Sequence, residues 1–339
     1  MNRPSTRHLV APELGEALDL FPPLDFLKLG VESYRSGMLG REMPPLPEAW
    51  AAVPCEERFI PGAPGDPDIR ILIYTPPGEA TALRPGVLEI HGGGFVIGNA
   101  DMSDAPNRVL VLKLGCVVVA VDYRLAPETP WPGARNDNYA ALCWLAENAG
   151  ALGVDPARIA ISGGSAGGGH AAALALHARN SGGPAICFQL LDYPMLDDRT
   201  CTHPDPHPYV GEFVWTPDRN HFGWESLLGQ EPGSEGVDET AAPARATDLS
   251  GLPPTFISVG SLDLFLEEDL EYARRLIRAG VPTELHVIPG AFHGSGMAYD
   301  APQSKLAEEL RVKALARGLG VNLERPATTE PDPIAMAVS

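Results

Sequence analysis

A serine flanked by glycines carries the strongest chemical signal in the sequence. Ser165 lies in the run GGSAGG, between an apolar segment that ends at Ser162 and an alanine-rich stretch, His170–Ala178, that is typical of a helix. A strand, a sharp Gly-x-Ser-x-Gly turn and a helix, in that order, hold a serine hydroxyl exposed at the end of a sheet. Because so tight a turn leaves no room for neighbouring side chains, glycines at 163 and 167 suit it. The pattern predicts that Ser165 is a nucleophile.

A second glycine-rich segment stands upstream of the serine. His91 is followed by three glycines and comes after the apolar run Val87–Ile90. Either motif alone is a weak signal, but together and in this order they form one arrangement. Backbone N–H groups of the first loop, with that of the residue after the nucleophile, bind a developing oxyanion. The pair therefore predicts acyl transfer at the serine, and we expect His91 to hold the glycine loop in place.

A serine nucleophile needs a histidine base and a carboxylate that orients the histidine. In this architecture both follow the serine along the chain, with the acid first. Asp263 comes just after the apolar run PTFISVG, and His293 comes just after the run TELHVIP. Both therefore follow predicted strands, where open α/β sheets place their sites. We predict that Asp263 and His293 complete the site.

The remaining histidines and acids have simpler interpretations. His286 lies inside its predicted strand, and His170 and His177 lie on a helix whose rise carries them away from the serine. Three more histidines lie in a proline-rich insert without a regularly spaced third ligand, so we expect no metal site there: His203, His207 and His221. The acids at 267–269 begin a predicted helix, and we expect them to interact with its N-terminal dipole.

With these segments the chain resembles the hormone-sensitive-lipase-like carboxylesterases of bacterial type, within the α/β-hydrolase superfamily. The resemblance covers roughly residues 56–317. It rests on these segments and residues: His91–Gly94, Asp122–Glu128, Gly163–Gly168, Tyr193–Asp198, Asp263 and His293. One residue departs from the family pattern. Gly164 stands before the serine, where family members commonly carry Asp, Thr or Glu, and the subfamily stays open.

The resemblance implies an α/β-hydrolase fold, in which a mostly parallel central sheet is flanked by helices and a small helical cap covers the serine. It also implies which backbone N–H groups bind the oxyanion: those of Gly93, Gly94 and Ala166. The expected activity is hydrolysis of short-to-medium acyl esters through an acyl-enzyme intermediate. No metal or organic cofactor is required for it.

Strand and helix patterns alternate along most of the chain, which predicts a sheet with right-handed crossovers. The insert at 197–245 interrupts the alternation with prolines and aromatic side chains. The predicted units are an N-terminal cap segment (1–50), a catalytic core (51–196 and 246–319), a cap insertion (197–245) and a flexible tail (320–339).

Charge and composition limit the partners. The 339-residue chain has a formal net charge of −19 at pH 7, which repels nucleic acid. No apolar run is long enough to span a bilayer, and the first residues lack a signal-peptide pattern. Five widely spread cysteines favour a reducing compartment. We therefore predict a cytoplasmic protein with no nucleic-acid partner and no membrane insertion.

Several alternatives remain open at this stage. A lactonase or an amide deacetylase would use the same residues as an esterase of small molecules. From a different class, some proteins of this fold are small-molecule receptors that have lost the catalytic histidine, and His293 argues against that function here. Acyl length, enantioselectivity and oligomeric state, a homodimer included, are not determined by the sequence.

Overall fold

The computed structural model describes residues 5–19, 26–39 and 46–323. Most of the predicted tail, residues 324–339, lies outside the described residues. Eight strands within these ranges form one sheet: β1 Cys55–Ile60, β2 Ile69–Tyr74, β3 Arg84–Ile90, β4 Val117–Asp122, β5 Val154–Gly164, β6 Phe188–Asp192, β7 Thr255–Gly260 and β8 Thr283–Ile288. Their order across the sheet is β1-β2-β4-β3-β5-β6-β7-β8.

Helices connect the strands and cover both faces of the sheet. Those of the described residues are α1 Pro12–Leu18, α2 Phe26–Leu29, α3 Val31–Leu39, α4 Glu48–Ala51, α5 Asp104–Leu114, α6 Gly133–Glu147, α7 Ala166–Ser181, α8 Pro217–Leu228, α9 Leu266–Arg278 and α10 Pro302–Gly318. Four short 3-10 helices complete them: Arg7–Leu9, Ala100–Ser103, Pro243–Arg245 and Ser295–Met297.

The sheet is mostly parallel, as predicted. Only β2 runs antiparallel to its neighbours, β1 and β4, and every other pair is parallel. The edge strand β1 was not predicted. Its residues CEERFI are largely exposed, and a charged edge strand lacks the apolar run by which buried strands are recognised.

Strand β4 shows why the central strands are continuously apolar. Val117, Val119 and Val121 face a core shared with α6, α7 and α9. Val118 and Ala120 face the opposite core, shared with α5 and α10. Because successive side chains of a strand point to opposite faces, both alternating sets must be apolar when helices cover both sides.

The 197–245 insert leaves the sheet after β6 and returns before β7. Its two ends are tied together because the Arg245 guanidinium donates two hydrogen bonds of 2.7 Å to the carboxylate of Asp198. The insert also meets the N-terminal segment, since Phe26 of α2 packs against Trp215 and Phe222. The two predicted parts of the cap are therefore in contact.

A partly buried carboxyl group lies behind the glycine loop. The carboxylate of Glu89, in β3, accepts a 2.9 Å hydrogen bond from the Ser103 hydroxyl, while its Oε2 is shielded from solvent and has no hydrogen-bond partner within the described residues. Asn107 of α5 and the Arg311 guanidinium of α10 face the same carboxylate. Desolvation outweighs these contacts and raises the pKa of Glu89 from 4.5 to about 7.

This raised pKa predicts a pH-dependent loss of stability. Below pH 4.5 Glu89 is neutral in both the folded and the unfolded chain, and the folded protein has its full stability. As the pH rises through about 7, the carboxyl must ionise in its desolvated position, and the free energy of unfolding decreases. Glu89→Gln keeps an acceptor for Ser103 but cannot ionise. We expect the variant to be more stable than the parent by about 3 kcal/mol at pH 8 and nearly equal to it at pH 4.5. Urea unfolding at both pH values measures the free energies of unfolding of parent and variant. If the two proteins differ equally at both pH values, the pKa of Glu89 is not raised.

Candidate active site

The turn between β5 and α7 holds Ser165 in a strained conformation. Its backbone φ is 58° and ψ is −125°, a region that costs free energy for any residue other than glycine. Two backbone hydrogen bonds fix the turn to the end of β6: Ser165 N–H donates to Asp192 O at 2.8 Å, and Met195 N–H donates to Ser165 O at 3.0 Å. The surrounding structure thus imposes this conformation.

Two glycines permit this turn because nothing larger fits. A Cβ at Gly163 would lie 2.3 Å from the carbonyl oxygen of Gly167. A Cβ at Gly167 would lie 2.0 Å from the carbonyl oxygen of Ile90 and 2.6 Å from that of His91. The steric requirement predicted for positions 163 and 167 is therefore confirmed.

The three side chains predicted from the sequence are brought together at the carboxyl ends of the strands. The Ser165 Oγ lies 2.9 Å from Nε2 of His293, and Nδ1 of His293 lies 2.9 Å from Oδ2 of Asp263. Because an ionised carboxylate only accepts, Nδ1 carries the proton and Nε2 is free to accept from the serine hydroxyl. All three residues are buried, with Ser165 8% and His293 6% exposed.

The loops after β7 and β8 position the acid and the histidine. Leu262 N–H donates to the Ala291 carbonyl at 2.9 Å, which joins the two loops one residue from Asp263 and two from His293. Asp263 also accepts a 3.0 Å hydrogen bond from the backbone N–H of Phe265 through Oδ1. These contacts orient the Asp263 carboxylate towards the imidazole of His293.

Aromatic rings enclose the imidazole of His293. The ring centroids of Tyr193 and Phe265 lie 5.0 and 5.1 Å from it, both edge-on, and that of Trp215 lies 6.1 Å away. Such packing fixes the ring and excludes water from the histidine–carboxylate hydrogen bond, which strengthens that bond.

The glycine loop after β3 lies directly against the serine. A Cβ at Gly92 would lie 3.4 Å from the Cβ of Ser165. His91 holds the loop as expected, since its Nδ1–H donates to the Gly92 carbonyl at 2.7 Å. The His91 ring stacks on Tyr123 with centroids 4.2 Å apart, and the Tyr123 hydroxyl donates to the His91 carbonyl at 2.8 Å.

The backbone N–H groups expected to bind an oxyanion belong to two segments beside the serine. Gly93 and Gly94 have φ values of 124° and 58°, which a side chain would disfavour. Ala166 is the first residue of α7, and the first N–H groups of a helix have no partner within the helix. The three N–H groups expected to bind an oxyanion thus come from a left-handed loop and a helix N-terminus.

The other histidines have structural partners. His286 contacts Glu284 in its own strand at 2.7 Å. His170 packs between the rings of Phe95 and Tyr123, and burial lowers its pKa to about 3, so it is neutral. In the ranges that the structure covers, no three His, Cys, Asp or Glu side chains gather in a metal-binding group.

The acids at 267–269 lie in the first turn of α9, as expected, and two of them are also buried. Glu268 is buried and accepts hydrogen bonds from the N–H groups of Leu196 and Asp197, at 2.6 and 3.2 Å. It therefore anchors the start of the insert. The carboxylate oxygens of Asp269 are fully buried and have no hydrogen-bond partner in the part of the chain that the structure describes, and desolvation raises the pKa of this group well above the ordinary value. Helix position alone could not reveal this burial.

Comparison with known proteins identifies the family. The model of the family described as having the alpha/beta hydrolase fold matches residues 87–297, which include the glycine loop, the serine, the acid and the histidine. The chain belongs to the α/β-hydrolase family. The resemblance predicted from the motifs is thereby confirmed, as is the fold.

Two α/β-hydrolase relatives illustrate the likeness in sequence. The chain is 37% identical over 317 residues to carboxylesterase NlhH of Mycobacterium tuberculosis, covering 91% of this chain and 96% of that protein. It is 32% identical over 227 residues to an ethyl acetate hydrolase of Pseudomonas putida, covering 66% and 70%.

A solved structure shows the same likeness in three dimensions. A bacterial heroin esterase superposes with a TM-score of 0.84 at 40% identity, over 93% of this chain and 99% of that one. These comparisons confirm the prediction of a carboxylic ester hydrolase. None of the helices in the described ranges combines the length and apolar content that a membrane crossing requires.

The site also contains residues that sequence reasoning missed. In the described part of the chain, four residues other than glycine have positive φ: Phe95, Ser165, Tyr193 and Val214. Tyr193 packs against His293, and Val214 precedes the Trp215 that lies beside it. Tyr193 belongs to the YP motif on which the resemblance rests, and Trp215 is one of the aromatic residues of the insert expected to form the cap, but no sequence signal marks Val214 as part of the site.

The packing of Gly167 predicts a sharp difference between two glycine substitutions. Gly167→Ala places a methyl group against the backbone at the end of β3, so we expect a loss of about 3 kcal/mol or more in the free energy of unfolding, with loss of activity. Gly150→Ala is the control, because nothing lies within 4 Å of its added Cβ; its stability should be unchanged or up to about 1 kcal/mol higher. Thermal or urea unfolding compares them, and a tolerated Gly167→Ala would refute the close approach.

Proposed function

We propose that this protein hydrolyses small carboxylic esters with Ser165 as nucleophile, His293 as general base and acid, and Asp263 as the group that orients the histidine. One observation carries the proposal: the continuous hydrogen-bonded chain from serine Oγ through the imidazole to the carboxylate, with both links at 2.9 Å. The glycine loop lies beside the serine, where the substrate carbonyl must bind.

In acylation, the Ser165 oxygen attacks the ester carbonyl carbon while Nε2 of His293 takes the hydroxyl proton. The imidazolium that forms is stabilised by the Asp263 carboxylate at Nδ1. The carbonyl oxygen becomes an oxyanion and accepts hydrogen bonds from the N–H groups of Gly93, Gly94 and Ala166, each contributing about 3 kcal/mol in comparable sites. Collapse of the intermediate breaks the C–O bond, and His293 gives its proton to the departing alcohol.

In deacylation, water takes the place of the alcohol. His293 removes a proton from the water as the oxygen attacks the acyl carbon, and the same three N–H groups bind the second oxyanion. The proton then returns through Nε2 to the Ser165 oxygen as the carboxylic acid leaves. Every step uses groups of this chain, the ester and water.

The insert at 197–245 and the N-terminal helices act as a cap in this proposal. Phe26 of α2 contacts two aromatic side chains of the insert, and α3 is fixed to the chain that follows the glycine loop because Arg35 donates to the carbonyls of Val96 and Ala126, both at 2.7 Å. A cap at this place removes water from the site and strengthens the hydrogen bonds to the oxyanion. The catalytic core is then 51–196 with 246–319.

Small, soluble esters are the substrates that suit this site best. Ser165 and His293 are only 8% and 6% exposed, which suits a small substrate better than docking on a lipid layer. The net charge of −19 opposes binding to anionic lipid surfaces. One relative is named an ethyl acetate hydrolase, and ethyl acetate is a small ester. Lactones and amides stay as alternatives, since the same residues would cleave them.

A cytoplasmic location suits the cysteines. All five are free thiols, and Cys116 is buried in a core, where burial raises its pKa to about 12 and keeps it unreactive. A reducing compartment preserves such thiols. Whether two chains associate as a homodimer stays open.

Removing the serine hydroxyl tests the proposal directly. Ser165→Ala should lower kcat/KM for p-nitrophenyl butyrate by at least about 10³-fold without unfolding the protein, because the glycines and not the hydroxyl set the turn. A fluorophosphonate should label Ser165 in the parent and no residue in the variant, as checked by peptide mass spectrometry. Ester turnover by the variant, or labelling at another residue, would sink the assignment. A parent that binds esters without an alcohol burst would instead be a receptor.

The choice of carboxylate has its own test. Asp263→Asn should lower kcat by about 10⁴-fold, because the amide favours the wrong tautomer of His293. Glu267→Gln is the matched control: it removes one acidic charge four residues away, on an exposed side chain. We expect its kcat to stay within about twofold of the parent. If Glu267→Gln were the more damaging change, the acid has been misassigned.

A further inference from the structure

One strained residue near the site has no part in the mechanism above. Ser165 is the nucleophile, Phe95 continues the glycine loop, and Tyr193 packs on His293, so positive φ at these three residues serves the reaction. Val214 has a φ of 59°, which a β-branched side chain strongly disfavours. Strain of this kind persists where the surrounding structure requires it and is concentrated at functional sites.

The strained residue places Trp215 directly over the glycine loop. A Cβ added to Gly94 would lie 1.9 Å from Cη2 of the indole and 2.5 Å from Cζ2, so the ring fills the space in front of this glycine. The centroid of the same ring lies 6.1 Å from that of His293. Trp215 is 2% exposed. A bulky ring thus closes the space between two groups that bind the reacting ester.

The indole is fixed on every side. Its Nε1–H donates a 3.1 Å hydrogen bond to the side-chain oxygen of Asn220, which is fully buried in α8. The Trp215 N–H donates to Phe213 O at 2.7 Å, and the Arg219 guanidinium donates to the Val214 carbonyl. Phe26 packs against the outer side of the ring at 6.1 Å. A ring held in this way acts as a rigid wall and does not yield to a larger substrate.

We propose that Trp215 is the residue that limits the length of the acyl group. This inference rests on the proposed function and names its substrate range: esters of short carboxylic acids. The leaving alcohol must face Nε2 of His293, from which it takes its proton. The acyl group stays on Ser165 beside the glycine loop until water arrives. The Trp215 ring packs more tightly on Gly94 of that loop than on His293, whose ring centroid lies 6.1 Å away, which assigns it to the acyl side of the site.

The test is a chain-length profile of the full-length protein. We would measure kcat and KM for p-nitrophenyl acetate, butyrate, octanoate and decanoate with the parent, Trp215→Ala and the conservative Trp215→Phe. Trp215→Ala should raise the ratio of kcat/KM for decanoate to that for butyrate by about tenfold or more, since each methylene that gains a place to bury contributes about fourfold. Trp215→Phe should shift the same ratio by about threefold, and it keeps the test decisive if the alanine variant does not fold.

Trp224→Leu is the matched control. Trp224 is an equally buried tryptophan of the same insert, and its ring packs on Phe95 with the centroids 4.9 Å apart. It should lower the rates for all four esters together and leave their ratio unchanged. A parallel series of acetate esters with growing alcohols should give the same profile for parent and Trp215→Ala.

The outcomes separate the two levels of the proposal. A parent that hydrolyses none of the esters would refute the proposed function itself. A parent that prefers short esters while both Trp215 variants keep its ratio would refute the role of Trp215 alone. The same holds if Trp224→Leu shifts the ratio as much, or if the shift appears in the alcohol series. A shift confined to the acyl series and to Trp215 supports the inference.

Discussion

The close approach of the serine turn to the end of β3 is the constraint on which the site depends. The backbone at Gly167 lies so near the Ile90 and His91 carbonyls that one methyl group would collide with both. This contact places the nucleophile at the start of α7 beside the loop that carries Gly93 and Gly94. The donors for an oxyanion therefore come from two distant segments of sequence whose separation is fixed by van der Waals contact between backbones.

Residues with a strained backbone are concentrated around this contact, and so are the interactions that support them. The strained residues lie around the serine and are supported by their neighbours. Backbone contacts with the end of β6 hold Ser165, α8 holds the turn at Val214, and the stack of His91 on Tyr123 holds the glycine loop. A rigid frame of this kind costs stability at the strained residues and recovers it in the two cores on either side of the sheet. It also means that little reorganisation is needed when charge develops on the substrate.

Several buried acids surround this frame without taking part in the chemistry. Glu268 satisfies backbone N–H groups at the start of the insert, and the Asp198 carboxylate pairs with Arg245 at its end. Glu268 thereby holds the start of an irregular segment to a regular helix, since buried backbone N–H groups need acceptors, while the Asp198–Arg245 pair joins the two ends of that segment. Glu89 and Asp269 are less well satisfied, and burial raises the pKa of each. Burial thus favours the neutral form of these last two carboxyl groups.

The sequence by itself determined the strand-turn-helix around Ser165, the glycine loop, the order serine–acid–histidine and the parallel sheet. These follow from local rules: glycine where no side chain fits, and continuous apolar runs where both faces are covered. Tertiary structure alone decided the burial of Glu268 and Asp269, the exposed edge strand β1 and the position of Trp215 over Gly94. Nothing near Trp215 in sequence encodes its partner, because that contact joins segments more than a hundred residues apart and arises only when the insert folds back over the sheet.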